Sequence, residues 1–176
     1  GRQELRLEVV SLDQVLRSTL AIMDGELANR RATVVAPAPL PAVLGDAVLL
    51  QVVFQNLIGN SIKFVAEGVT PRIELTAQAD ANELVTLSFT DNGTGIPPAA
   101  RTRIFGLFER LHSKHAGTGI GLAITQRAIE RMEGEIGVDD AQPGPGSRFW
   151  IKLRHASTPP SPTPSVRLPR VVAPLF

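Results

Sequence analysis

Cysteine and tyrosine are absent from this chain, tryptophan occurs once, and aromatic residues make up only 5% of it. Without cysteine there is no disulfide, no thiolate nucleophile and no structural zinc site of the usual kind, which fits a reducing, cytoplasmic setting. No apolar run is long enough to span a bilayer, so a soluble domain without membrane contact is expected. Neither sign of charge dominates. Eighteen basic residues against seventeen acidic ones leave a net charge of +1, and nucleic acid is not an expected partner. The 176 residues, 43% of them hydrophobic, suffice for about one domain with a real core. The chain opens on Gly1 rather than Met, as a piece of a longer protein would.

What the chain does have is glycine in two ordered motifs. Asp91-Asn92-Gly93-Thr94-Gly95-Ile96-Pro97 puts a carboxylate ahead of glycines that let backbone come close to a ligand. Gly117-Thr118-Gly119-Ile120-Gly121-Leu122 runs directly into a helical pattern, whose N-terminal N–H groups suit an anion. Each motif alone is as readily an ordinary turn or flexible loop.

Upstream, Leu5 to Val10 alternates as a short strand, and Ser11 with Gln14 has capping-box spacing. The spacing predicts a helix whose stripe Leu12, Val15, Leu16, Leu20, Met23 and Leu27 runs out near Asn29. Ala32 to Ala36 and Ala42 to Leu44 read as short strands, and Asp46 as the N-cap of a helix over about 47–65. That helix carries Val48, Leu49, Val52, Val53, Leu57 and Phe64 as apolar positions, with Asn56, Asn60 and Lys63 along one side. Arg72 to Gln78 and Leu84 to Thr90 suit an antiparallel hairpin that delivers Asp91. Pro97-Pro98 opens a short helix with Ile104, Phe105, Leu107 and Phe108 on its apolar side. A helix over 120–132 follows, with Leu122, Ile124, Ile129 and Met132 inward and Gly134 as its stop, and then a closing hairpin of 135–138 and 147–153. From Ala156 the proline-rich composition predicts a disordered tail.

A side-chain amide is a neutral oxygen ligand of the kind Mg2+ accepts beside phosphate, and Lys63 is a point charge for phosphate. Either asparagine alone is as readily a residue satisfying a neighbouring backbone group. The three elements in this order resemble the sensor histidine kinases. Gln55-Asn56-Leu57-Ile58-Gly59-Asn60-Ser61-Ile62-Lys63-Phe64 is similar to their N box, Asp91 to Pro97 to the G1 box, and Ile104-Phe105-Gly106-Leu107-Phe108 to the F box. Gly117 to Leu122 resembles the G2 box, and Gly146-Ser147-Arg148-Phe149 the start of the last strand. Phe108-Glu109-Arg110-Leu111-His112 resembles the wording of phytochrome-like members.

The resemblance implies the Bergerat fold of the GHKL superfamily, an α/β two-layer sandwich with a mixed, mainly antiparallel sheet and helices on one face. It implies ATP and Mg2+ as cofactors. Asp91 would accept from the adenine exocyclic amine, with Gly93, Gly95 and Ile96 at the base. Asn60 would hold the metal with Asn56 beside it, and Lys63 would meet phosphate. Gly117, Thr118, Gly119, Ile120, Gly121 and Leu122 would cover the triphosphate, with Phe105 and Phe108 anchoring that lid or simply packing in the core. Arg110 would neutralise the terminal phosphate, against the plainer reading of an exposed helix-end arginine.

Gyrase-type and chaperone ATPases of the superfamily carry Glu where this chain has Asn56. A neutral amide is a poor general base, so the resemblance implies transfer of the γ-phosphoryl group to an imidazole rather than to water. The acceptor histidine is expected on a separate dimerising helical domain, with a response regulator downstream. Residues 1–10 then read as the exit from that domain and a first strand, 11–155 as the ATP-binding domain and 156–176 as the tail. His112, His115 and His155 read as loop histidines rather than acceptors. A superfamily ATPase, or a nucleotide-sensing or docking module without transfer, is the competing expectation.

Overall fold

The computed structural model describes residues 5–108 and 119–156. The expectations on Arg110, His112, His115, Gly117, Thr118 and residues 157–176 lie outside the described residues.

Two antiparallel pairings build the frame. Strand β4 (Arg72–Ala79) pairs antiparallel with β5 (Leu84–Asp91), and β5 with β7 (Ser147–Arg154). Ile73 and Leu75, then Val85, Leu87 and Phe89, then Phe149, Ile151 and Leu153 all turn to one face and are buried there. Trp150 and Lys152 occupy the other face, where the Lys152 ammonium stands 5.1 Å from the indole. Strand β2 (Thr33–Val35) adds in parallel to β4, and β6 (Glu135–Asp140) antiparallel to β7. The resulting order is β2-β4-β5-β7-β6, a mixed and mainly antiparallel sheet as expected.

The helices cover the apolar face. Helix α1 (Leu12–Ile22) starts where the Ser11 hydroxyl accepts from the Gln14 N–H at 3.2 Å. It ends earlier than its apolar stripe suggests, because the chain breaks at Met23 and resumes as α2 (Asp24–Asn29). Asp24-Gly25 is a weak helix-forming pair, whereas Met23 and Leu27 stay buried, so the stripe outlives the helix. Helix α3 (Ala47–Lys63) starts at Asp46, whose carboxylate accepts from the Leu49 N–H at 2.9 Å. Phe54 of α3 meets Phe89 of β5 edge-on, with centroids 5.0 Å apart, an arrangement that adds about 0.5–1.5 kcal/mol to the burial itself.

Four apolar assignments differ from expectation. Val48 is exposed, and the inward side of α3 is Leu50, Val53, Phe54, Leu57, Ile58 and Ile62. Helix α4 (Gly121–Arg131) turns Ala123, Thr125, Ala128 and Ile129 inward and leaves Ile124 exposed. Likewise Ile104 and Phe105 are buried, while Leu107 and Phe108 stand 63% and 71% exposed. The Pro98–Ala100 and Arg103–Phe105 segments are 3-10 turns rather than one helix.

Strand β1 (Glu8–Ser11) pairs with β3 (Ala42–Gly45), and β3 bridges Val43 to His155. The Ala156 N–H donates to the Ala42 carbonyl at 3.1 Å, and Ala156 is 3% exposed. The packed structure therefore includes Ala156, the residue at which a disordered tail was expected to begin.

The end of α4 also departs from expectation. Gly134 does follow the helix, with its N–H donating to Ile129 O at 2.9 Å, but the left-handed residue of this cap is Glu133, at φ 59°. A non-glycine residue there costs about 1–2 kcal/mol, and glycine returns about 0.5–1 kcal/mol of that as chain entropy. Glu133→Gly should therefore raise stability by about 0.5–1 kcal/mol in urea unfolding; a loss of stability would show that the left-handed turn carries no strain.

Candidate nucleotide site

Asp91 is the last inward position of β5. The same alternation that buries Val85, Leu87 and Phe89 turns this carboxylate toward α3, with 8% of the residue exposed. Its Oδ1 accepts two backbone N–H groups, from Gly93 at 2.9 Å and from Ser147 at 3.0 Å. Its Oδ2 lies 3.1 Å from the Ser61 hydroxyl of α3. Burial pushes the carboxyl above its ordinary value, and the bonds from Ser147, Gly93 and Ser61 only partly oppose this. The nearest cations of the same elements turn elsewhere: Lys63 stands 5.9 Å from the Phe64 ring, Arg72 pairs with Glu74 and Arg148 with Asp139.

Close packing explains two of the glycines around it. A Cβ on Gly93 would lie 2.4 Å from Phe64 O, so the loop can lie against the end of α3, where the Thr94 N–H donates to that same carbonyl at 2.9 Å. A Cβ on Gly146 would meet Asp91 O at 1.9 Å, and its absence lets β7 bring the Ser147 N–H to the carboxylate. Asn92 faces away from the site, accepting from the Arg72 N–H at 2.8 Å and donating to Thr70 O at 3.0 Å. Arg101 ties the loop from the far side, with its Nε on Ile96 O and its guanidinium on Asp140.

The polar side of α3 carries Asn56, Asn60 and Lys63, all half-buried. Asn56 donates through Nδ2 to Gly121 O at 3.1 Å and to the Thr125 hydroxyl at 3.2 Å, joining α3 to the first turn of α4. Thr125 itself donates to Gly121 O at 2.9 Å. Both acceptors demand the NH2 group, which fixes the amide orientation and leaves Oδ1 for a ligand. Helix α4 starts at Gly121 with no side-chain cap among the described residues, and the Phe108 N–H donates to Gly119 O at 3.0 Å. Ile96, Ile120 and Leu122 are partly exposed, and Gly95 and Gly119 have φ of 77° and 71°. Phe105 packs edge-on to Phe149, whereas Phe108 projects to solvent and takes no part in the core.

Three contributors were not expected from sequence as site residues. Ser61 sits on a buried helix face where an apolar residue fits the pattern, which is a usable signal. Ser147 acts through its backbone, and Thr125 partners a residue 69 positions away; neither leaves a trace in local sequence.

A mixed sheet with helices on one face, and a buried carboxylate held between a glycine loop and the longest helix, define an ATP-binding sandwich of the kind found in kinase catalytic domains. The chain belongs to the histidine kinase-, DNA gyrase B- and HSP90-like ATPase family, whose model matches residues 45–157. It is 35% identical over 153 residues to phytochrome-like protein Cph1 of Synechocystis, across 86% of this chain and 20% of that protein. The full-length structure of ShkA in complex with AMPPNP matches with a TM-score of 0.74 at 31% identity, over 91% of this chain and 33% of that one. The mycobacterial sensor histidine kinase MprB matches at 0.69 and 29%, over 85% of this chain and 97% of that one. The chain thus spans about a fifth of the length of its phytochrome-like relative. Among the described residues no helix is long and apolar enough to cross a membrane.

Because the folded pKa of Asp91 lies above the unfolded one, its contribution to stability is present below the ordinary carboxylate range and lost as pH rises through the raised value. Asparagine can keep the bonds: its oxygen accepts from Gly93 and Ser147, its NH2 donates to Ser61, and the Ser61 hydroxyl turns to Leu57 O. The ligand-free Asp91→Asn protein should therefore be more stable than the unmodified one at pH 7, with the difference closing below about pH 4. Thermal unfolding across pH measures this, and a less stable variant at pH 7 would contradict it.

Proposed function

We propose that this chain binds Mg-ATP and donates its γ-phosphoryl group to a histidine on a separate dimerising helical domain of the same kinase, as one step of two-component signalling with a response regulator. The observation that carries the reading is Asp91. Two backbone N–H groups saturate Oδ1, so Oδ2 is the acceptor left for a ligand donor, and its burial makes an unmet bond costly. The adenine exocyclic amine supplies such a donor, whereas guanine presents a carbonyl at that position.

The remaining residues take roles consistent with their positions. Gly93, Gly95 and Ile96 form the loop beside the base. Lys63 offers a point charge to phosphate, and the uncapped start of α4 at Gly121 offers N–H groups to anionic oxygen. Gly117, Thr118, Gly119, Ile120 and Leu122 belong to the segment over the triphosphate, and Arg110 to the neutralisation of its end. The residues fit a magnesium ion: Asn60 would hold it with Asn56 alongside, whose bonds to α4 are made by its NH2 group rather than its oxygen. The ion supplies charge neutralisation on the phosphates.

In the transfer, the bond from the γ-phosphorus to the bridging oxygen of ADP breaks as a bond to the imidazole nitrogen forms. Asn56 holds no proton-accepting carboxylate at the position that would activate water, so an already nucleophilic acceptor suits the site. The reading places the domain in the cytoplasm with ATP, free of nucleic acid and membrane.

Calorimetric titration with ATP and with GTP in Mg2+, followed by assay of the same samples for ADP, tests the reading. ATP should bind at least about tenfold more tightly than GTP, since one unmet buried bond is worth about 1–3 kcal/mol, and ADP should not accumulate without an acceptor domain. Equal affinities would remove the role of Asp91, and sustained ADP release would make the chain an ATPase.

A further inference from the structure

Ser61 follows Asn60 in sequence but faces the other way, into the sheet, and is 3% exposed. Its Oγ lies 3.0 Å from Leu57 O, one turn back, and 3.1 Å from Asp91 Oδ2. A hydroxyl carries one proton, so the two acceptors compete for it. An ionised carboxylate wins, because a charge-assisted bond is roughly twice as strong as a neutral one. Among the described residues Ser61 supplies the side-chain contact to Oδ2, while Oδ1 is held by backbone alone.

A carboxylate gripped at one oxygen still swings the other about its Cβ–Cγ bond. Gly93 and Ser147 fix Oδ1, and the Ser61 hydroxyl then sets where Oδ2 stands and which of its lone pairs is already taken. Ser61 is itself held in register by α3, the helix that presents Asn56, Asn60 and Lys63. The base end and the phosphate end of the site are thereby spaced by one rigid element.

We propose that Ser61 is a positioning residue for base recognition: its hydroxyl holds Asp91 Oδ2 so that the remaining lone pair meets the exocyclic amine of adenine. The inference rests on the reading of Asp91 as the adenine acceptor. It assigns Ser61 no contact with the nucleotide. Its effect is confined to ligands that carry the amine.

The test compares the unmodified chain with Ser61→Ala by calorimetry in Mg2+, using ATP and purine riboside triphosphate, which is ATP without the exocyclic amine. Alanine fits the space and is a better helix former, and thermal unfolding checks that the variant is folded. Ser61→Ala should weaken ATP about five- to tenfold and leave purine riboside triphosphate within about twofold. In an Asp91→Asn background the same substitution should produce no further loss of ATP affinity. Equal losses for both nucleotides, or no loss for ATP, would overturn the role of Ser61. If the unmodified chain prefers ATP over the analogue and Ser61→Ala keeps that preference, the role of Ser61 falls and the reading of Asp91 stands. If the unmodified chain shows no preference, both fall together.

Discussion

A single buried carboxylate sets the terms for the structure around it. Asp91 is too deep for water to solvate freely, so its oxygens need donors from the protein, and these come from three places in the chain. One is its own loop, through Gly93; one is α3, through Ser61; one is the start of β7, through Ser147. The donors on α3 and β7 lie 30 and 56 residues away in sequence. Each approach makes its own demand. The loop needs glycine at 93 to lie against α3, and β7 needs glycine at 146 to pass the backbone of Asp91. The raised proton affinity that burial produces comes with holding this acceptor where water competes poorly for it.

The phosphate half of the site follows a different logic. Asn56 places its amide hydrogens on α4, so the start of that helix is fastened to the helix that carries Asn60 and Lys63. Gly121 leaves room for that bond, since a Cβ there would lie 3.4 Å from the Asn56 amide. The site is thus built on helices and a sheet at its base, with loop backbone filling in between.

Much of this was legible in advance because alternation and capping are local signals. The strands around Asp91 show period-two burial, and their existence and hairpin pairings could be read, as could the caps Ser11 and Asp46. The facing of helix residues was harder to read. Helix α3 is covered on several sides, so its apolar periodicity does not single out one face, and Val48 was assigned inward when it is exposed. On α4 the contact to Asn56 is made by Gly121 and Thr125, which a search for large apolar residues overlooks, and Ile124 was assigned inward when it is exposed. Phe108 shows the same error in a turn, where hydrophobicity alone carries no direction. The bonds from Ser61, Ser147 and Thr125 are tertiary, and no window of neighbouring residues contains both partners.

Strand β3 lies between β1 on one side and His155 on the other, antiparallel to both. The first strand and the last described residues therefore run parallel to each other across a shared neighbour. Pulling on residue 5 and on residue 156 in opposite directions would slide these segments lengthwise past β3, straining their hydrogen bonds together rather than one after another. Mechanical load entering at either end of the domain would meet this small ladder in shear, at a distance along the chain from the Asp91 pocket.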